Sequence, residues 1–220
     1  PISAEALPRA GESYSGAWVS FFKRPELAGW IWVLVSNKVA DSLSSAMVKP
    51  MMVDMGMSLS QIGLQVSMIS AVTTIAGAML GGYWLQTIGR RNGLVFFGAF
   101  QCFAIACYAI PAMGHGIVGL SATGTAVAVN ALEHFAGGMA MAALLSAVMD
   151  RARQAHAGVD FTLQVSLLAV FGGSFYLPAG LLAEAVGYAD HFLIAAAVGV
   201  LMLYPAWRFT REPNELAEVK

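Results

Sequence analysis

The sequence predicts an all-α, polytopic membrane protein, with six transmembrane helices arranged as a 3+3 repeat. Three observations predict it. Of the 220 residues, 58% are hydrophobic and only 11% charged, whereas a soluble domain is about one quarter charged because charged side chains cover its surface. Six apolar stretches are each long enough to cross about 30 Å of hydrocarbon, which takes about 20 helical residues. Lysine and arginine fall almost entirely on one of the two sides that those stretches define. The formal net charge of −1 supplies no global attraction for nucleic acid or an acidic substrate.

Residues 1–26 contain Pro8, Arg9, Gly11, Glu12, Lys23, Arg24 and Pro25. They read as a cytoplasmic linker with a short interfacial helix around Ala17 to Phe22. The chain starts at Pro1 without Met and nothing resembles a signal peptide, so it reads as a fragment or a processed chain, with a half-size subunit as the alternative. The six-helix bundle covers 27–209, with spans at 27–48, 59–85, 93–113, 121–149, 161–185 and 188–209. Between them stand Lys49-Pro50 with Asp54-Met55-Gly56, then Gly89-Arg90-Arg91-Asn92-Gly93, Gly114-His115-Gly116, the segment 150–160, and Gly187. Residues 210–220 form a cytoplasmic tail.

Basic residues orient the bundle. Arg9, Lys23, Arg24, Arg90, Arg91, Arg151, Arg153, Arg208, Arg211 and Lys220 share one side, and the other receives Lys49. The positive-inside rule makes the rich side cytoplasmic. Both termini then lie inside, as an even number of spans requires.

An internal repeat divides the bundle into three helices plus three. Leu64-Gln65-Val66-Ser67 on the second span recurs as Leu163-Gln164-Val165-Ser166 on the fifth. Further along the same pair, Gly82 and Gly89 are spaced as Gly180 and Gly187 are, with Gln86 and Glu184 at matching positions. The third and sixth spans carry no charge in their interiors, whereas the first and fourth do. Intramembrane charge is tolerated where protein or water surrounds it, so the polar spans face a cavity and the others face lipid.

On the first span Asn37, Asp41 and Ser45 are four apart and share a face, with Lys38 and Ser42 beside them. Asp41 lies about 21 Å into its span and Glu133 about 18 Å into the fourth, both near mid-depth. Asn130 and His134 flank Glu133, and Gln164 lies on the fifth span. This set predicts a hydrated substrate pocket in which one carboxylate carries a proton. A plainer reading stays open: Lys38 and Asp41 neutralise each other, and Glu133 and His134 are held by neighbouring helices.

Between the second and third spans, Gly82 allows close helix approach, Gly89 makes the turn, and Arg90 and Arg91 cap helix ends or pair with carboxylates. Gly77 and Gly81 form a small-xxx-small pair for helix packing. The pairs Gly137-Gly138 and Gly172-Gly173 read as packing positions or hinges, and Pro178 as a kink. Cys102 and Cys107, five apart in an apolar run, read as packing residues. No ligand-spaced His or Cys motif predicts a metal or other cofactor, and no Ser/His pair or paired Asp supports a membrane-embedded enzyme.

The segment Gly82 to Arg91 resembles the G-x-x-x-D-x-x-G-R-R loop signature of the major facilitator superfamily, with Gln86 where an acid is usual. Lys38-Val39-Ala40-Asp41-Ser42, the corner from Lys49 to Gly56, Glu133-His134-Phe135-Ala136-Gly137-Gly138-Met139, and Met149-Asp150-Arg151 leading to Asp160-Phe161-Thr162-Leu163-Gln164 resemble its branch of muropeptide permeases, acetyl-CoA transporters and RhtX/FptX siderophore permeases. The last of these segments looks closest to the siderophore permeases. The resemblance implies the C-terminal six-helix half of a twelve-helix inner-membrane symporter. Its partners would be lipid and an N-terminal six-helix half. Its cavity would be lined by the first, second, fourth and fifth spans, and Gly82, Gln86, Gly89, Arg90 and Arg91 would form the cytoplasmic gate loop without the usual acidic latch. Import of an iron–siderophore complex by alternating access follows, with a muropeptide or other amphiphilic metabolite as the alternative.

Overall fold

The computed structural model describes residues 14–117 and 119–209, so most of the expected linker and the tail 210–220 lie outside the described residues. The described chain is helical apart from short turns and caps. Tyr14–Phe22 forms a short helix, followed by the first span, Leu27–Asp54. Its polar middle makes it less apolar than the three long helices that follow: a run of 54 residues from Leu59 to Ala112, one of 29 from Ala122 to Asp150, and one of 55 from Gln154 to Arg208. Fifty-four helical residues would reach about 80 Å, far more than one crossing of about 30 Å. Each of the two longest runs turns at one glycine, Gly89 (φ 77°, ψ 163°) or Gly187 (φ 81°, ψ 165°). That conformation is open essentially to glycine alone, and it divides each run into two crossings. The fold is the six-helix membrane bundle expected.

Where the helices break differs from the expectation, and proline explains most of it. The loop expected after the second span, Gly89 to Gly93, shrinks to Gly89, the break after the fifth span falls at the expected Gly187, and helix continues on both sides of each glycine. Shorter interruptions end helices at Cys107, Ser174 and Leu201. Each of these is four residues before a proline: Pro111, Pro178 and Pro205. A proline ring removes the hydrogen bond to the carbonyl four residues earlier and clashes with it. Pro50 sits close to the end of its helix, which runs on past the expected Val48 to Asp54. Ile62–Val66 is a π-helical turn, and Ser67 Oγ donates to Ile62 O at 3.1 Å.

Glycines set the tightest packing. A Cβ on Gly77 would lie 2.0 Å from Phe135 O, one on Gly138 2.3 Å from Thr74 O, and one on Gly81 2.7 Å from Met139 Cα. The second and fourth spans therefore touch backbone to backbone, as small residues permit where hydrophobic attraction between helices is missing. Gly137 and Gly138 lie within the unbroken helix Ala122–Asp150, so the structure uses Gly138 for packing and shows no hinge there.

The apolar core is divided by depth. One block contains Leu43, Met51, Met52, Ile105, Tyr108 and Phe192. The other, on the arginine-rich face, contains Leu34, Leu85, Leu94, Phe97, Leu144 and Val148. Residues 37–38 on the first span, 101 on the third and 130–134 on the fourth fall between the two blocks. The polar residues of the bundle's middle occupy that level.

Candidate functional site

A cavity of about 180 Å³ opens at that level. Asn37, Lys38, Asp41 and Ser45 line it from the first span, Thr74 from the second, and Glu133 and His134 from the fourth. The four-residue spacing of Asn37, Asp41 and Ser45 gives them a common face. Asn37 Nδ2 donates to Val33 O at 2.9 Å within its own helix, which fixes the orientation of its amide.

The charged groups form one connected cluster. Lys38 Nζ pairs with Asp41 Oδ2. His134 Nδ1 lies 3.0 Å from Glu133 Oε2 and 3.0 Å from the Asn130 backbone oxygen. Both partners are acceptors, so Nδ1 is the protonated ring nitrogen. Gln101 on the third span joins the two pairs: its Nε2 is 3.1 Å from Asp41 Oδ1 and 3.1 Å from Glu133 Oε1. Asp41 and Lys38 keep about a quarter of their side-chain surface exposed, at 24% each, whereas Glu133 is at 8%. The first pair can meet a solute in the cavity while Glu133 is held behind it.

Six of the eight residues expected in the pocket line it. Asn130 and Gln164 do not. Asn130 accepts from Tyr108 Oη at 3.2 Å and donates to Ser70 Oγ at 2.7 Å, a polar chain buried beside the cavity. Gln164 is fully buried near the arginine-rich face, where it accepts from Trp30 Nε1 at 2.5 Å and donates to Asp160 O at 3.0 Å. Its position on the helix, one turn past Asp160, points it at the first span below the cavity. The lining also differs by span. The fifth span, expected to line the cavity, contributes no lining residue, although a Cβ on its Gly172 would stand 3.4 Å from the Lys38 stem, and the third, expected to be peripheral, contributes Gln101. One glutamine in an apolar run has no periodic signal, so sequence reading missed it.

The loop residues hold the arginine-rich face. Arg90 Nε pairs with Asp150 Oδ2 at 2.8 Å, and Arg91 Nε donates to Trp207 O at 3.2 Å with its guanidinium 5.3 Å from the Trp207 ring. Gln86, in place of the usual acid, is exposed, and nothing approaches within 4 Å of a Cβ placed on Gly82. Nearby, Arg153 grips Asp160 through Nε at 2.8 Å and Nη2 at 2.7 Å and reaches Ser20 Oγ through Nη1 at 2.8 Å. This ties the short helix Tyr14–Phe22 to the bundle, while Trp18, Val19 and Phe22 stay exposed beside Lys23.

A second, apolar recess of about 480 Å³ lies among Trp84, Phe96, Phe97, Phe100 and Phe135. It is larger but carries no ionisable group, and the polar cavity is the chemically equipped one.

A family model described as the Major Facilitator Superfamily matches residues 31–220. The anhydromuropeptide permease of Escherichia coli K12 is 26% identical over 196 residues, covering 87% of this chain and 39% of that protein. AmpG 4 of Rickettsia conorii, named as a transporter, is 21% identical over 184 residues, covering 84% of this chain and 43% of that one. The chain spans less than half the length of these relatives.

Proposed function

Because the chain belongs to the major facilitator superfamily, we propose that it is half of an inner-membrane secondary transporter that moves an amphiphilic solute by rocking of two bundles about a mid-depth site. One observation carries the reading: Lys38, Asp41, Glu133 and His134 converge on a single cavity between the two apolar blocks of the bundle. Ionisable groups at that depth are costly, and they mark solute or ion pathways. A role in binding rather than catalysis fits the cluster, in which every carboxylate is already engaged.

For the solute, a relative named anhydromuropeptide permease favours a muropeptide over the ferric siderophore that the loop motifs suggest. A muropeptide combines sugar hydroxyls, amides and carboxylates. Lys38 offers donors, Asp41 and Ser45 offer acceptors, and Asn37 offers both. In this reading Asp41 or Glu133 also carries the coupling proton. A second six-helix unit supplies the opposite wall of the cavity, and the relatives are more than twice as long as the segment they share with this chain.

The test is uptake of a labelled anhydromuropeptide into proteoliposomes under an imposed pH gradient, with a ferric siderophore in parallel. Gradient-dependent muropeptide uptake supports the proposal. Uptake of the siderophore alone replaces the substrate class, and uptake of neither overturns the transport reading for these solutes.

A further inference from the structure

Gln101 reaches the charged cluster through a gap in another helix. A Cβ on Gly137 would stand 3.0 Å from Gln101 Nε2 and 3.6 Å from Glu133 Oε1, so the missing side chain leaves the path along which the amide arrives. Its donor end faces two carboxylates that belong to different three-helix repeats, Asp41 on the first span and Glu133 on the fourth. An ionised carboxylate only accepts, and an amide nitrogen has two hydrogens to give. One NH2 group therefore satisfies both. Gln101 is itself 8% exposed, which leaves the amide little freedom to turn to water.

We propose that Gln101 is the positioning residue of the cavity, binding Asp41 and Glu133 into one hydrogen-bonded unit so that a displacement of either repeat is felt at the carboxylate of the other. The inference rests on the transport reading for its purpose, but not for its geometry. Lys38 and His134 each hold one carboxylate from its own helix. Neither spans the two repeats, and Gln101 does.

The experiment is a mutant cycle measured twice in the purified, reconstituted protein, once by thermal unfolding and once by anhydromuropeptide uptake. Asp41→Asn, Glu133→Gln and their combination are compared in three backgrounds: wild type, Gln101→Leu and Gly137→Ala. Groups within one hydrogen-bonded network give non-additive effects, and unconnected ones add. With Gln101 present, the double variant is expected to lose about tenfold less uptake than the product of the two single losses. In Gln101→Leu the losses multiply. In Gly137→Ala, which keeps every polar group but crowds the amide, the non-additivity shrinks. If Gln101→Leu fails to fold, the Gly137→Ala background still decides.

Additive effects in the wild-type background, or a non-additivity that survives both Gln101→Leu and Gly137→Ala, overturn the proposal. The unfolding cycle needs no substrate, so it separates the two ideas. Coupling lost with Gln101 in a protein that transports nothing rejects transport and keeps the linkage. Normal uptake with coupling independent of Gln101 does the reverse.

Discussion

Gly89 and Gly187, 98 positions apart, break their helices with the same backbone geometry, φ 77° and ψ 163° against φ 81° and ψ 165°. The likeness extends to their neighbours. Arg90, the residue after the first glycine, binds Asp150 at the end of the fourth span at 2.8 Å, and Tyr188, the residue after the second, donates to Asp54 at the end of the first span at 2.7 Å. Exchanging the two three-helix repeats converts one contact into the other. The arrangement is an inverted repeat read from backbone and side chains together, and it clamps the repeats at opposite faces.

These turns need glycine. Gly89→Ala and Gly187→Ala should each destabilise the protein by about 1–3 kcal/mol, measured as a fall in the thermal unfolding midpoint in detergent. Gly82→Ala is the control, because its Cβ would enter open space, and its midpoint should stay close to wild type. Equal effects at all three positions would count against the turn geometry.

Asp160 makes stability depend on pH. Burial alone would raise its carboxyl, but the Arg153 bonds, with Arg24 beyond, outweigh burial and hold it below the usual carboxylate range. A group depressed in the folded state stabilises fully above its unfolded value and loses that contribution as pH falls through the folded one. Acid titration of the unfolding midpoint should therefore show a decline below about pH 4. Asp160→Asn should lower stability at neutral pH by about 2 kcal/mol and flatten that decline. An unchanged acid limb would refute the assignment.

The Arg90–Asp150 pair should matter more to function than to stability. Both side chains are half exposed, at 51% each, and exposed ion pairs contribute about 1 kcal/mol or less. A double-mutant cycle of Arg90→Ala and Asp150→Ala should give a coupling in that range that weakens with salt, while uptake falls by a larger factor. Stability coupling well above it would make the pair structural.

Much of this was legible in the sequence because it is encoded locally. Span count follows from hydropathy, and the repeat shows in the spacing of Gly82 and Gly89 against Gly180 and Gly187. The depth of Asp41 and Glu133 follows from helical rise. Azimuth is harder to read. Gln164 has a polar side chain on an apolar span, yet its rotation around the helix sends it to Trp30 rather than to the cavity. Gln101 was invisible for a related reason: its access depends on Gly137, on a helix more than thirty residues away. The helix ends at Cys107, Ser174 and Leu201 could have been placed from Pro111, Pro178 and Pro205 by counting back four residues.

Proteoliposome uptake of an anhydromuropeptide under a pH gradient, compared among wild type, Asp41→Asn and Glu133→Gln, tests the cavity most directly. The account predicts gradient-driven uptake in wild type and a loss of about tenfold or more in each variant, equivalent to about 1.4 kcal/mol, with expression unchanged. Wild-type uptake in both variants would contradict it.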